Sequence, residues 1–168
     1  MKVAILMGSK NDYSVVARAE TILDAFKVEY TTRIMSAHRT PSVAEKFSKT
    51  AEEEGIEVII AAAGKAAHLA GVIAANTPLP IIGLPIKSST LDGLDSLLSI
   101  VQMPKGIPVA TVAIDGAENA ALLAVQIISV RDSVLRSKMK EYKSGIVRKV
   151  EQKDRVLQEN LRKLYPLA

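Results

Sequence analysis

Short apolar runs alternate with stretches of helical spacing through residues 1–131, and that alternation constrains the fold more than any other feature. Residues 3–7 are uniformly apolar and end at Gly8, the pattern of a strand buried on both faces. Residues 12–26 then carry Val15, Val16, Ala19, Ile22, Leu23 and Phe26 at helical intervals. Residues 28–34 alternate and are β-branched, a second strand. Pro41 opens the next helix at its first position, with Thr40 as N-cap. A third strand is expected at 57–62, a short helix at 66–75, and a fourth strand at 79–84 between Pro80 and Pro85. A helix at 94–103, a fifth strand at 109–114 and an Ala/Leu-rich helix at 117–131 complete the series.

Strands that alternate with helices form parallel units joined by right-handed crossovers. The expected class is therefore α/β: a three-layer, doubly wound, parallel five-stranded sheet, flavodoxin-like in its strand order 2-1-3-4-5. The eight units of a barrel do not fit in 168 residues. The chain has no cysteine, which excludes a disulfide framework, a thiolate zinc site, an iron–sulfur cluster and a cysteine nucleophile. Its only histidines are His38 and His68, so a histidine-rich metal site is disfavoured. The apolar start is too short for a membrane span and lacks a signal-peptide cleavage pattern, so a soluble, cytoplasmic protein is expected.

Residues 132–168 read as a helical extension of one catalytic α/β domain at 1–131. Leu135, Met139, Tyr142, Ile146, Val150, Leu157, Leu161 and Leu164 draw one apolar stripe along an otherwise charged helix. Unbroken, such a helix is roughly 50 Å long, wider than the domain. Gly145 is expected to break it, or the tail leaves its own body, and both can hold. The stripe is expected to pack on a neighbouring subunit, the alternative being its own sheet. The net charge of +4 also resides in the tail. From residue 131 on, 11 Lys and Arg against 5 Asp and Glu give +6, while the rest carries 11 against 13, or −2. With aromatics at 4% and no Trp, this is a solvated helix face rather than a nucleic-acid arm.

Open parallel sheets bind ligands at the carboxyl ends of their strands. The segments expected there are Gly8-Ser9-Lys10-Asn11-Asp12, Ser36-Ala37-His38-Arg39-Thr40-Pro41, the run from Ala63 through Gly64, Lys65 and His68 to Gly71, and Pro85-Ile86-Lys87-Ser88-Ser89. Gly8-Ser9 turns into a helix N-terminus and offers N–H groups and a hydroxyl to a phosphate. It matches neither the dinucleotide fingerprint nor the P-loop. Asp12 is either a helix N-cap or an acceptor for sugar hydroxyls, since a carboxylate repels a phosphate. Arg39 suits a phosphate through its two-pronged guanidinium, and His38 suits proton transfer near neutral pH. His68 is either a structural or a catalytic histidine. Gly64 and Gly71 let backbone approach a ligand, or serve helix–strand packing. Asp92, Asp95, Ser96 and Ser99 read as caps of the later helix. Acidic residues for a phosphorylated receiver and the Gly-x-Ser-x-Gly elbow are both missing.

Five of these segments, in order, resemble the PurE family of N5-carboxyaminoimidazole ribonucleotide mutases. They are Met7-Gly8-Ser9-Lys10-Asn11-Asp12, Ser36-Ala37-His38-Arg39-Thr40-Pro41, Ala66-Ala67-His68-Leu69, Asp95-Ser96-Leu97-Leu98-Ser99-Ile100-Val101-Gln102-Met103-Pro104 and Asn119-Ala120-Ala121-Leu122-Leu123-Ala124. The resemblance implies a homo-octamer that moves a carboxyl group from the exocyclic nitrogen of an imidazole ribonucleotide to ring carbon C4. It implies no ATP, metal or organic cofactor, a small ribonucleotide as partner, and no nucleic acid or membrane. It implies His38 as catalytic acid/base, with His68 near the reacting carboxylate. Ser9, Asp12 and Arg39 become ligands of the ribose phosphate, and Ser36 and the Gly64 loop further parts of the pocket.

The sequence departs from that pattern at four points. Lys65 and Asp115 stand where the family commonly has Gly, Ala70 where it has Pro, and Tyr13 where it has Trp. These changes bear on loop conformation; Lys65 in addition places a cation where it meets a carboxylate or points to solvent. Two rivals remain: a carboxylase that adds carbon dioxide directly to aminoimidazole ribonucleotide, and a silent phosphosugar-binding scaffold. In the carboxylase branch the third loop resembles Ser-Asn-Ala-Leu-Ser-Gly, so the His68 motif argues for the mutase. The intact Ser36-Ala37-His38-Arg39 argues against the scaffold.

Overall fold

In the computed structural model, which describes residues 1–164, the apolar runs form a parallel sheet: β1 (Lys2–Met7), β2 (Glu29–Ile34), β3 (Ile56–Gly64), β4 (Ile81–Ile86) and β5 (Ala110–Thr111). The order is β2-β1-β3-β4-β5, the flavodoxin-like order expected. Between the strands run α1 (Tyr13–Phe26), α2 (Pro41–Thr50), α3 (Leu69–Ala74) and α4 (Leu94–Val101); α5 (Ala117–Ser129) and α6 (Ser133–Leu164) follow.

β1 and β3 lie at the centre, where every ladder bond is internal and both faces must be covered. Ala4, Leu6, Ile59, Ala61 and Ala63 point to one side and join Phe47 of α2, Leu69 and Ile73 of α3, and Ile100 of α4 in one apolar cluster. The alternate set, Val3, Ile5, Val58, Ile60 and Ala62, is equally buried and faces the other way. Val16, Ala19, Leu23 and Phe26 of α1 are buried there, and Arg18 of the same helix pairs with Glu118 of α5 at 3.5 Å. β2 is an edge strand, and its outer residues Arg33 and Ile34 are exposed.

Three expectations are corrected. β5 has two residues instead of six. Alternate residues of β4 turn towards β5: Gly83 O accepts from Val112 N and Pro85 O from Asp115 N. Pro85 has no N–H to return, so a regular ladder ends there. Secondly, Thr40 holds the N-cap position of α2 ahead of Pro41 as expected, but its side chain makes no cap bond. Its hydroxyl is taken by Ser36, accepting from the backbone N–H at 2.9 Å and donating to the carbonyl at 3.1 Å. Thirdly, Gly145 does not break the tail, because α6 is one helix of 32 residues. A glycine in a helix interior costs only about 1 kcal/mol, and no proline accompanies this one.

By contact density the chain divides into Met1–Ile128 and a second unit beginning at Ser129. Within the second unit, Asp132 Oδ1 accepts from Leu135 N at 2.8 Å and caps the start of α6. Leu135 and Met139 of the stripe are buried, while Ile146, Leu157, Leu161 and Leu164 are exposed. Residues 165–168 of the expected tail lie outside the described residues.

Gly83 allows α4 to lie against β4. A Cβ at that position would overlap Cγ2 of Ile100 and come within 2.9 Å of Val109 Cγ1. Ile100 is fully buried and has nowhere to retreat. Gly83→Ala is therefore expected to destabilise the fold by about 1–3 kcal/mol, the usual range for overpacking. A chemical denaturation midpoint equal to that of the unsubstituted protein would refute this.

Candidate functional site

Each strand of a parallel sheet delivers its following loop to the same edge, and here the loops after β1, β2, β3 and β4 surround one open cavity of about 570 Å³. That volume suits a small-molecule ligand. Ser9, Asp12, Ser36, His38, Arg39, Gly64, Lys65 and His68, the eight residues singled out from the sequence, all line it.

The first loop continues the β1 ladder through Gly8 N to Ala62 O at 3.0 Å. Ser9 Oγ then accepts from Asn11 N at 3.2 Å, which starts a single 3-10 turn at Lys10–Asp12 ahead of α1. Asp12 occupies the N-cap position of α1 without a side-chain cap bond, which leaves its carboxylate to the cavity. Partial burial raises its pKa above the ordinary 3.8, and the negative charge of Asp115 adds to this, against a lowering by a hydrogen bond with the Ser9 backbone.

The second loop is built around Ser36. Its Oγ accepts from His38 N at 3.3 Å and from Arg39 N at 3.1 Å. That turn sends Arg39 back across the edge, where Nη2 donates to Gly8 O at 2.9 Å and locks the first two loops together. A guanidinium has five N–H groups in a fork, so others remain for an anion.

The third loop brings the other histidine. Lys65 sits in left-handed backbone at φ +56, and His68 begins α3. His38 Nε2 and His68 Nδ1 are 2.9 Å apart, with the rings nearly perpendicular at 82°. One nitrogen donates and the other accepts, so a single proton is held between the rings. Of the small-residue run after Lys65, only Ala66 and Leu69 reach the cavity besides His68. Ala67 and Ala70 belong to the core, and a Cβ on Gly71 would stand 2.9 Å from Met103 Sδ. Gly71 thus serves packing and not a ligand.

Asn11, Lys87, Ser88 and Ser89 also line the cavity, although the sequence suggested no role for them. Their signal was position, since they follow β1 and β4 at the same edge. Lys87 Nζ pairs with Asp92 Oδ1 at 3.1 Å, and Ser88 Oγ donates to both carboxylate oxygens of Asp95 at 2.9 and 2.8 Å. The acidic and hydroxyl residues near α4 do not cap it, because Gly93 holds the N-cap position. Ser96 instead donates to Ile86 O and Gly93 O, both at 2.8 Å.

Lys65 and Asp115, which stand where the resembling family commonly has glycine, both adopt left-handed backbone, at φ +56 and +54. Glycine enters that region freely and other residues at some cost, which accounts for the preference at both positions. The wall carries the cations Arg39, Lys65 and Lys87 against the single carboxylate Asp12, a balance that favours an anionic ligand. Among the described residues no cluster of three or more His, Asp or Glu is placed to hold a metal, and no helix is long and apolar enough to cross a membrane.

The AIR carboxylase family profile matches residues 2–149. The chain is 57% identical over 147 residues to an N5-carboxyaminoimidazole ribonucleotide mutase of Pyrococcus abyssi, a match covering 88% of this chain and 84% of that protein. It is 50% identical to a chloroplastic phosphoribosylaminoimidazole carboxylase of Vigna aconitifolia, covering 92% of this chain but only 27% of that protein. A crystal structure of Treponema denticola PurE superposes with a TM-score of 0.84 at 32% identity, over 93% of this chain and 98% of that one.

The raised pKa of Asp12 has a consequence for stability. Between 3.8 and its higher folded value, the native state binds more protons than the unfolded chain. Its ionisation therefore weakens the fold as pH rises through that window. Asp12→Asn is expected to raise the thermal midpoint at pH 7 relative to the parent, with the gain vanishing near pH 3. A lower midpoint for the variant at pH 7 would contradict this.

Proposed function

The chain belongs to the AIR carboxylase family, and we propose that it is a mutase of that family. It moves the carboxyl group of N5-carboxyaminoimidazole ribonucleotide from the exocyclic nitrogen to C4, a step of de novo purine synthesis. The observation that carries this reading is the pair of histidines at 2.9 Å on the wall of one cavity that also holds Ser9, Asp12 and Arg39.

The chemistry asks little of a protein beyond a proton and a closed space. A carbamate falls apart once its nitrogen is protonated, giving carbon dioxide and a free amine. That amine makes C4 enamine-like and nucleophilic. If the carbon dioxide stays in place, C4 attacks it, and the C4 proton must then leave to restore the aromatic ring. One proton enters and one departs, so a single residue serves as acid first and base last. His38 takes that role in this reading, and no ATP, metal or organic cofactor takes part. His68, sharing a proton with His38, fixes which ring nitrogen carries it and stands near the migrating carboxylate. Ala63, Ala66 and Leu69 supply an apolar wall beside them, suited to a neutral gas molecule.

The anionic end of the substrate is assigned to the first two loops. Ser9, the N–H groups of the following turn and Arg39 receive the phosphate, and Asp12 accepts from ribose hydroxyls. Ser36 and Gly64 shape the pocket. Lys65, exposed on the cavity wall, is assigned to a substrate carboxylate. The protein works in the cytoplasm as a homo-octamer, in which the exposed stripe of the helical tail at 132–168 packs on a neighbouring copy; the exposure of Ile146, Leu157 and Leu161 supports this. Light scattering is expected to give an octamer of the 18.0 kDa chain, and a monomer would overturn the assembly.

The test of function mixes the protein with N5-carboxyaminoimidazole ribonucleotide without ATP, metal or bicarbonate, and follows the C4-carboxylated product by ultraviolet absorbance. Rapid product is expected, with His38→Asn slower by about 10²–10⁴-fold, the usual worth of a positioned acid/base. The plant relative's name favours a second reading, direct carboxylation of aminoimidazole ribonucleotide. Product from that substrate with high carbon dioxide, and none from the N5 substrate, would establish it instead. Silence in both assays would leave a binding role.

A further inference from the structure

β4 loses its regular partner at Pro85, yet the chain beyond it is held at a defined place on the cavity wall. In a parallel ladder the residue opposite Ile86 donates its N–H to the Pro85 carbonyl and accepts from the N–H of Lys87 with its own carbonyl. Asp115 makes the first of these bonds, N to Pro85 O at 2.8 Å. Its left-handed backbone, φ +54, turns its carbonyl away. That carbonyl accepts instead from Arg18 Nη2 at 2.7 Å and from Ala117 N at 2.9 Å. The N–H of Lys87 goes to the Asp115 carboxylate, Oδ1, at 2.9 Å. The side chain has replaced the main chain in the ladder.

We propose that Asp115 is a positioning residue for the substrate cavity, its carboxylate standing in for a strand carbonyl to hold Lys87, Ser88 and Ser89 on the wall. The described bonds of that loop otherwise run to its own continuation: Lys87 to Asp92, Ser88 to Asp95, and Thr90 N to Ser88 Oγ. These bonds tie the loop to its own turn and to α4, and none runs to a neighbouring strand. Packing on the same side agrees, since a Cβ on Gly93 would meet Ile114 Cγ2 at 2.7 Å and Lys87 Cα at 3.1 Å. Asp115 itself is half-buried, and its bond to Lys87 lies at the exposed end of β4. It does not line the cavity; besides the loop it reaches the site only through its charge near Asp12, which Asp115→Asn removes as fully as Asp115→Gly does.

The kinetic side of this inference rests on the mutase reading; the structural side does not. Asp115→Gly removes the acceptor and keeps a residue at ease in left-handed backbone, and Asp115→Asn keeps an acceptor oxygen. Steady-state kinetics with N5-carboxyaminoimidazole ribonucleotide and amide hydrogen exchange over residues 84–93 are measured on the full chain. For Asp115→Gly, KM is expected to rise on the order of fivefold to tenfold, the worth of one hydrogen bond, with kcat within about twofold and faster exchange at 87–89. Asp115→Asn is expected to recover most of the KM and the slow exchange. An unchanged KM in Asp115→Gly overturns the proposal, as does an Asp115→Asn variant as impaired as the glycine one. If the unsubstituted protein turns over no substrate, the mutase reading falls, and exchange alone decides: unchanged exchange in Asp115→Gly then overturns the proposal.

Discussion

A strand buried on both faces must find all its hydrogen bonds along its two edges, because no water reaches it. β1 and β3 are in that position, with Val3, Ala4, Ile5 and Leu6 fully buried beside Val58, Ile59, Ile60 and Ala61. Their pairing can be satisfied only inside a parallel sheet with helices on both sides, since each parallel connection must cross a face of the sheet. Right-handed crossovers then force every loop that follows a strand to the same edge. The cavity is a product of that geometry: the loops after β1, β2, β3 and β4 have nowhere else to go.

At this edge the loops are held by bonds between them as well as within them. Arg39 spans from the β2 loop to Gly8, and His38 reaches His68 across the β1–β3 centre of the sheet. Ser36 sets the turn that makes both reaches possible, spending its hydroxyl on the N–H groups of His38 and Arg39. The residues with the most chemistry to offer are thus positioned by neighbours that have little. Asp115 belongs with those neighbours: its carbonyl is turned out of the β4 ladder, and its carboxylate accepts from Lys87 N in that carbonyl's place.

How far the site was legible varies residue by residue. Ser9, Asp12, Ser36, His38, Arg39, Gly64, Lys65 and His68 were all findable, because each follows a strand that its own apolar pattern announces. Lys87, Ser88 and Ser89 had the same address but no distinctive chemistry, so position alone marked them. Gly71 stayed open between two readings, since a small residue in a loop looks the same whether it faces a ligand or Met103. Thr40 and Gly145 show the limit of local rules. A capping preference of about 1 kcal/mol lost to a hydrogen bond with Ser36, and a glycine's weak helix propensity lost to the residues on either side.

The sequence by itself determined the layered α/β class, the parallel direction of the strands and the edge at which chemistry gathers, because strand burial and crossover handedness follow from local periodicity and chirality. Its motifs also determined the family to which the chain belongs. Only the tertiary structure decided that His38 and His68, 30 positions apart, share a proton. It also decided that Lys65 and Asp115 take left-handed backbone, and that the carboxylate of Asp115 serves β4. Such contacts depend on strand register and on the direction in which each loop leaves the sheet, and neither is written in the spacing of apolar residues along the chain.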